Sequence, residues 1–283
     1  MAKHNVVQLY GLVLGMPQIQ KNEATGTYER GTCKIAISNG TRDIGDKIDH
    51  VRFNKPMIMS GDPEQIAIMS TWKTNDMVQV KGAFTTMNIS KRIRCPHCEE
   101  IAKVPGTLAF ISPIHSKIIE RNLSEEKGTE LLKKDCEISN QVLLVGNLCK
   151  DVDFYRNDTM KMSTYQLAVN RKYFIKGDVA ESRTDYPYVH SFGDQAFSDQ
   201  IALREGSQVL IDGMIQSKEF KRVSKCENPE CEHFGDEFEW GDYTLEVVPY
   251  SVEYLKDYTT REEYELLQSE KTEELKQKLF GKE

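Results

Sequence analysis

No apolar run in this chain approaches the ~18 residues that a membrane-spanning helix requires, which excludes a helical membrane protein from the reading. No secretory leader is expected, because Met1-Ala2-Lys3-His4 passes directly into a strand-like run. Cysteine is present but poorly arranged for a secreted disulfide scaffold: the count is seven, an odd number, and four of the seven fall in two close pairs. A reducing, cytoplasmic setting is therefore expected. Basic excess, common in nucleic-acid-binding proteins, is lacking too, since the net charge is −7. Much of the acid is segregated, however. The last 28 residues hold eight acidic and six basic side chains, and more acid lies between Glu230 and Glu239. What matters for a binding groove is its local charge rather than the total.

Catalytic signatures are equally scarce. There is no G-x-x-x-x-G-K-[ST] loop to cradle phosphates, no G-x-S-x-G elbow and no H-E-x-x-H helix among six scattered histidines. Acidic residues fall in solvated runs, where pKa tuning is not expected. A zinc deaminase would need H-x-E followed by P-C-x-x-C, an order that Arg94-Cys95-Pro96-His97-Cys98 does not have. No enzyme is expected.

What the chain does contain is a copy of itself. Asn5-Val6-Val7-Gln8-Leu9-Tyr10-Gly11 parallels Asn140-Gln141-Val142-Leu143-Leu144-Val145-Gly146, and Val78-Gln79-Val80-Lys81-Gly82 parallels Gln208-Val209-Leu210-Ile211-Asp212-Gly213. Between them, Gly61-Asp62 with Gln65-Ile66-Ala67 echoes Gly193-Asp194 with Gln200-Ile201-Ala202. Cys95 follows Gly82 by 13 positions, and Cys226 follows Gly213 by 13. Each copy offers five apolar or alternating runs, at 5–14, 32–38, 51–59, 77–87 and 107–114, then at 140–148, 162–170, 186–192, 207–217 and 242–254. A short helical stretch separates the third from the fourth. Glycines inside the runs suit the corners of a small closed barrel.

The expected fold class is therefore all-β with short helices: two tandem OB-fold barrels, zinc-knuckle loops and a C-terminal helix. The boundaries read as 1–115 for a first, degenerate barrel, 116–137 for a charged connector, 138–256 for the second barrel and 257–283 for the helix. Ser124 is a candidate N-cap of the connector, and Thr260-Arg261-Glu262-Glu263 is a capping-box pattern. Tyr264, Leu267, Leu275 and Leu279 would form one apolar stripe, which favours a helix packed on its own barrel over a partner-binding helix.

The close cysteine pairs are Cys95-Pro96-His97-Cys98 and Cys226-Glu227-Asn228-Pro229-Glu230-Cys231. Each supplies half of the tetrahedral set that a structural Zn²⁺ takes. Both lie in what should be the loop joining the fourth and fifth strands. The leading expectation is one structural zinc per chain, held by Cys95, Cys98, Cys226 and Cys231 and shared between the barrels. Two separate sites completed by His97, His233, carboxylates or another chain are an alternative, and reduced, metal-free thiols are a third. Cys33, Cys136 and Cys149 read as small buried residues.

The second copy resembles the bacterial single-stranded-DNA-binding protein family. Asn140 to Asp151 is similar to that family's opening strand, a V-x-L-x-G-x-L-x-x-D pattern, and Leu167-Ala168-Val169-Asn170-Arg171 to its second. Phe192-Gly193 followed by Glu205 to Gly213 resembles its third and fourth strands. The resemblance covers about 115 residues in order, and the first copy shares it only through its likeness to the second. It implies base stacking on Tyr173, Tyr186, Phe192 and Phe220, each standing where the family has an aromatic. Any one of these rings could instead pack in a core. Basic neighbours interleave with them and would hold phosphates: Arg171, Lys172, Arg183, Lys218, Lys221 and Arg222. In the first copy Ser60 aligns with Phe192 and Ile89 with Phe220. Arg52, Lys55, Lys91, Arg92 and Arg94 keep its basic character, while Trp72 reads as core.

The function so implied is binding and protection of single-stranded DNA, largely without sequence preference, in replication, recombination or repair. RNA binding, or an OB-fold adaptor that docks proteins, is the alternative. Replication or recombination proteins are expected as further partners, and the chain as a monomer or homodimer, since the family assembles single barrels and a fused pair halves the chains needed. The family's disordered, acidic-tipped tail is replaced by Leu279-Phe280-Gly281-Lys282-Glu283. Tandem fusion with zinc knuckles looks more like a phage-encoded version than a housekeeping one.

Overall fold

The computed structural model describes residues 4–39, 53–98, 101–177 and 183–280. In the first half the strands are β1 (His4–Val13), β2 (Gln18–Lys21), β3 (Tyr28–Ser38), β4 (Phe53–Asn54) and β5 (Met57–Ser60). Helix α1 (Pro63–Met69) precedes β6 (Met77–Arg94) and β7 (Ile101–Glu120). After α2 (Glu125–Lys134) and α3 (Cys136–Ser139), the second half runs β8 (Asn140–Leu148), β9 (Asp153–Arg156), β10 (Lys161–Asn170), β11 (Thr184–Asp185) and β12 (Tyr188–Phe192). It ends with α4 (Gly193–Ala202), β13 (Gln208–Lys225), β14 (Glu237–Lys256) and α5 (Arg261–Phe280).

Each half closes on itself as the OB layout predicts. In the first, β1 pairs with β3 and β6, β6 with β7, β7 in parallel with β5, and β5 with β3. In the second, β8 pairs with β10 and β13, β13 with β14, β14 in parallel with β12, and β12 with β10. Closure leaves few unpaired edges, the main hazard of a small sheet. The helix between the third and fourth barrel strands is α1 in one half and α4 in the other. Among the described residues, no helix is long and apolar enough to cross a membrane.

The similar opening segments lie side by side. β1 and β8 pair antiparallel from His4↔Val145 to Leu9↔Asn140, so Asn5 faces Leu144 while Leu9 faces Asn140. This reciprocal register is that of a pseudo-twofold axis through Val7 and Val142. It joins both barrels into one sheet with a continuous apolar core, in which Val7 and Leu9 meet Val142 and Leu144. Two buried asparagines seal the joint. Asn5 Nδ2 donates to the Phe84 carbonyl and Asn5 Oδ1 accepts from the Phe84 amide, both at 2.8 Å. Asn140 does the same with Ile215, again at 2.8 Å. Each side-chain amide thus stands in for a missing strand and satisfies backbone groups that burial would otherwise leave unpaired.

Gly82 and Gly213 show why glycine recurs within the long strands. A Cβ on Gly82 would stand 2.4 Å from the Ser112 carbonyl oxygen, and one on Gly213 2.5 Å from that of Val248. Both face a proline across a register shift, Pro113 in one hairpin and Pro249 in the other. These bulges bend the hairpins away from the barrels.

Three sequence readings need adjustment. First, β7 runs on to Glu120, because Ser116, Ile118 and Glu120 pair with Val80, Val78 and Met77; Ile118 packs on the core, so the connector helix begins only after Ser124. Ser124 is its N-cap, accepting from the Lys127 amide. Second, the residue opposite Ser60 across the pseudo-symmetry is Ser191, not Phe192. Ile58 and Val189 occupy the same place in the parallel pairings, and Ser60 and Ser191 are both buried two residues later. The alignment slips by one because α4 starts at Gly193, whereas Gly61 and Asp62 intervene before α1. Third, α5 has the expected capping box, Thr260 and Glu263 exchanging backbone-to-side-chain bonds of 2.8 and 3.2 Å, but it leaves Leu267 exposed rather than packed on a barrel. Leu275 and Leu279 have side chains outside the described residues. Trp72 is fully buried, as core.

Candidate functional site

Strand alternation decides which side chains face out. On β12, Val189 and Ser191 are buried, so Tyr188, His190 and Phe192 point outward. Their cross-strand neighbours on β10 are Gln166, Thr164 and Met162, and Met162 also pairs with Tyr155 of β9. On β13, Ile211 and Ile215 point inward, which puts Lys218, Phe220 and Arg222 on the other side, opposite Thr244, Asp242 and Trp240 of β14. Phe220 faces Asp242 and Arg222 faces Trp240 in the hairpin register.

Of these side chains, Tyr188, His190, Lys218, Phe220, Arg222 and Asp242 line a groove of about 520 Å³ between the barrels. Tyr186, Tyr188, Lys218 and Phe220 form the side contributed by the second barrel, and Thr86, Lys91, Gly106 and Thr107 of the β6–β7 hairpin form the other. The Tyr186 amide donates to Thr86 Oγ1 at 2.8 Å, which fixes the two sides at the base. Three cations, Lys91, Lys218 and Arg222, stand against two carboxylates, Asp242 and Glu246, so the groove carries positive excess despite the acidic chain. Burial alone would push Asp242 up, but bonds from Lys91 and the Tyr243 amide, with the charges of Lys91 and Arg222, hold it below the usual carboxylate range. Glu246 is likewise lowered: burial works against it, and the bond and charge of His190 prevail.

None of the four rings singled out in the sequence lies in the core. Tyr173, Tyr186 and Phe192 are 39, 44 and 45% exposed, and Phe220 is half-buried. Tyr186 and Phe220 come together in the groove. Phe192 shares the outward face of β12 but lies at its far end, beside Tyr155 across Met162. Tyr173 stands in the turn after β10, outside the groove lining, with Lys81 5.8 Å and Lys172 6.0 Å from its ring centre. Sequence reasoning missed Tyr188, Trp240 and Phe174. Tyr188 could have been found, since it stands four residues before Phe192 in the same strand and so faces the same way. Trp240 was hidden because the fifth strand begins five residues earlier than its apolar pattern. Phe174 is 75% exposed, with the Arg183 guanidinium 5.8 Å from its ring.

The cations divide sharply. Arg171 is a correction: it is buried, and its Nε and Nη2 donate to Asp185 at 2.6 and 3.1 Å, so its charge is spent inside the protein. A cation following a strand end looks exposed in sequence, but this one turns back onto β11. Lys91 is also largely buried, its amine paired with Asp242 across the two hairpins. Arg222 forms an ion pair with Asp242 at 2.8 Å and lies 5.4 Å from the Phe220 ring centre and 5.9 Å from that of Trp240, so it braces both rings. Lys221 is exposed and pairs with Glu239 at 2.6 Å. Lys172, Arg183, Lys218, Arg92 and Arg94 are exposed. Arg52 lies outside the described residues.

The two long hairpins meet at their tips. β6 ends at Arg94 and β13 at Lys225, so Cys95 and Cys226 each follow the last paired residue. The sulfurs of Cys95, Cys98, Cys226 and Cys231 all lie within 4.8 Å of one another, with Cys98 and Cys226 3.9 Å apart. Four thiolates about 2.3 Å from a tetrahedral ion stand about 3.8 Å apart, while a disulfide needs about 2.05 Å. The cluster therefore fits a metal ion and is not disulfide-bonded. His97 and His233 do not join it. Their rings stack at 3.8 Å, and His233 Nδ1 lies 3.0 Å from Asp236. The His233 amide donates to Cys231 Sγ at 3.4 Å, and Ile93, Phe238 and Trp240 pack beside the thiols.

Residues 139–240 match the model of the Single-strand binding protein family. A single-stranded DNA-binding protein of Staphylococcus epidermidis is 30% identical over 83 residues, or 29% of this chain. The match spans about three fifths of that relative's length, 62%. Among solved structures, the wild-type single-stranded DNA binding protein of Thermus aquaticus aligns with a TM-score of 0.58 at 15% identity, covering 92% of this chain and 97% of that one. A deletion mutant of the same protein aligns at 0.57 and 16%, covering 92% and 100%. The family model thus matches within the second barrel, while the fold likeness extends over both.

Proposed function

We propose that this chain binds single-stranded DNA and protects it in replication, recombination or repair, stacking unpaired bases in the groove between its barrels. The observation that carries the reading is the groove itself: Tyr186, Tyr188 and Phe220 open to solvent, edged by Lys218 and Arg222, within the segment that matches the family model. Every base has a π-face, so such rings accept any sequence, and phosphates need only nearby cations. Lys172, Arg183, Arg92 and Arg94 extend the basic path beyond the groove, and Phe192 with Tyr155 offers a further platform. The first barrel is the degenerate one. The β6–β7 hairpin of the first barrel supplies one side of the groove and structural pairing, while the second barrel supplies the rings.

A titration tests the reading. Labelled dT and rU oligomers, at two salt concentrations, should show salt-sensitive binding with dT at least as tight as rU, accompanied by quenching of aromatic fluorescence. Clear preference for rU would make this an RNA binder, and no binding to either would leave a protein-docking role.

We also assign one structural Zn²⁺ to Cys95, Cys98, Cys226 and Cys231. A four-thiolate set leaves no open coordination position, so the ion would hold structure and supply no chemistry. Metal analysis of purified protein should give one zinc per chain; two, or none, rejects the shared site.

A further inference from the structure

The thiol cluster and the groove belong to the same pair of hairpins. Lys91, Gly106 and Thr107 of one hairpin face Lys218, Phe220, Arg222 and Asp242 of the other across the groove. Four residues past Arg222 comes Cys226, and four past Lys91 comes Cys95, about 13 Å along each strand. Out here the hairpins are two-stranded ribbons beyond the barrels, and such ribbons are marginal on their own. Among the described residues, the contacts that tie one ribbon to the other near the tips include the Lys91–Asp242 ion pair, the stacked rings of His97 and His233, and a small cluster: Ile93, Cys95, Cys226 and Phe238, with Trp240 against it. A core of that size needs a staple. Trp240 belongs to both places, packing on the tip cluster and standing opposite Arg222, which braces Phe220.

We infer that metal binding at the tips and strand binding in the groove are thermodynamically coupled, with the paired hairpins as the coupling element. This rests on the reading of the groove as a single-strand site. With the four thiolates gathered on an ion, the groove is held at its bound width and little ordering remains when a strand enters. Without the ion, the ribbons separate at their tips, and the strand must first bring them together. Coupling is reciprocal: whatever factor the metal adds to strand affinity, the strand adds to metal affinity.

The test uses the full chain in reducing buffer, loaded with Zn²⁺ or stripped by a chelator, and a labelled dT oligomer. Loaded protein should bind the oligomer about tenfold or more tightly than stripped protein. Re-adding Zn²⁺ should restore the difference, which separates hairpin loosening from irreversible unfolding. Conversely, saturating oligomer should lower the equilibrium transfer of zinc to the chelator by the same factor. Cys231→Ser supplies a second route to the metal-free state, with far-UV circular dichroism confirming that the barrels persist. Tight binding of equal strength in both metal states overturns the coupling and leaves the single-strand reading intact. Failure to bind in either state overturns the single-strand reading and the coupling with it.

Discussion

Phe220→Ala should weaken binding of a dT oligomer by about 5- to 150-fold, the range that corresponds to ~1–3 kcal/mol for one base-stacking ring. The ring stands on the groove side of β13, half-exposed, with the Arg222 guanidinium 5.4 Å from its centre. A strand lying in the groove therefore meets a π-face whose position is already fixed. Removing the ring also frees Arg222 from one of its two aromatic neighbours, so some preorganisation goes with it. The natural control is Ile89→Ala. Ile89 holds the place of Phe220 in the other hairpin: it faces Gly106, as Phe220 faces Asp242, seven positions beyond the strand glycine in each case. It has no π-face, and its truncation should leave affinity nearly unchanged. Fluorescence anisotropy at fixed salt reads both variants. Equal losses would mean that the strand runs along both hairpins alike and that the barrels do not divide the work.

How much of this was visible beforehand follows from the range of each signal. Period and spacing are local, and they carried well. The equal distances from Gly82 to Cys95 and from Gly213 to Cys226 placed two thiol pairs at equivalent hairpin ends, and the structure brings those ends together. The capping residues Ser124 and Thr260 were legible for the same reason, since a cap involves only its own first turn. Pairing across the pseudo-twofold axis was not legible. That Tyr186 is held by Thr86, and that one side of the groove is lent by the first barrel, depends on β1 pairing with β8, which no local pattern announces. The one-residue slip at Ser60 has a similar origin, because Phe192 and Gly193 look like a landmark until the strand register shows Ser191 buried in the equivalent place. Charge was the least legible property. A lysine or arginine reads the same in sequence whether it meets phosphate or a buried carboxylate.

Arg171 makes that last point testable. A phosphate contact and a buried ion pair predict opposite results for Arg171→Met. Loss of a phosphate contact would spare stability and reduce the salt dependence of binding by about one unit of slope. The structure predicts instead that the salt slope holds while the protein loses ~3–5 kcal/mol, because the buried Arg171–Asp185 ion pair is broken. In a chain of this size, that corresponds to a fall in Tm of roughly 6–20 °C. The loss should not stay within the second barrel. Asp185 also accepts from Asn5 Nδ2 and from the Thr86 amide, both at 3.0 Å, so its carboxylate ties β11 to the first barrel at the base of the groove. Calorimetry on Arg171→Met, with the salt dependence of dT binding measured below the lowered Tm, decides between the two roles. Adding Asp185→Leu to Arg171→Met removes the other half of the buried pair and should recover part of the stability. It also removes the acceptor for Asn5 and Thr86, so recovery should stop short of the parent chain. A variant with unchanged Tm and a shallower salt slope would return Arg171 to the binding surface and move Asp185 out of the joint between the barrels.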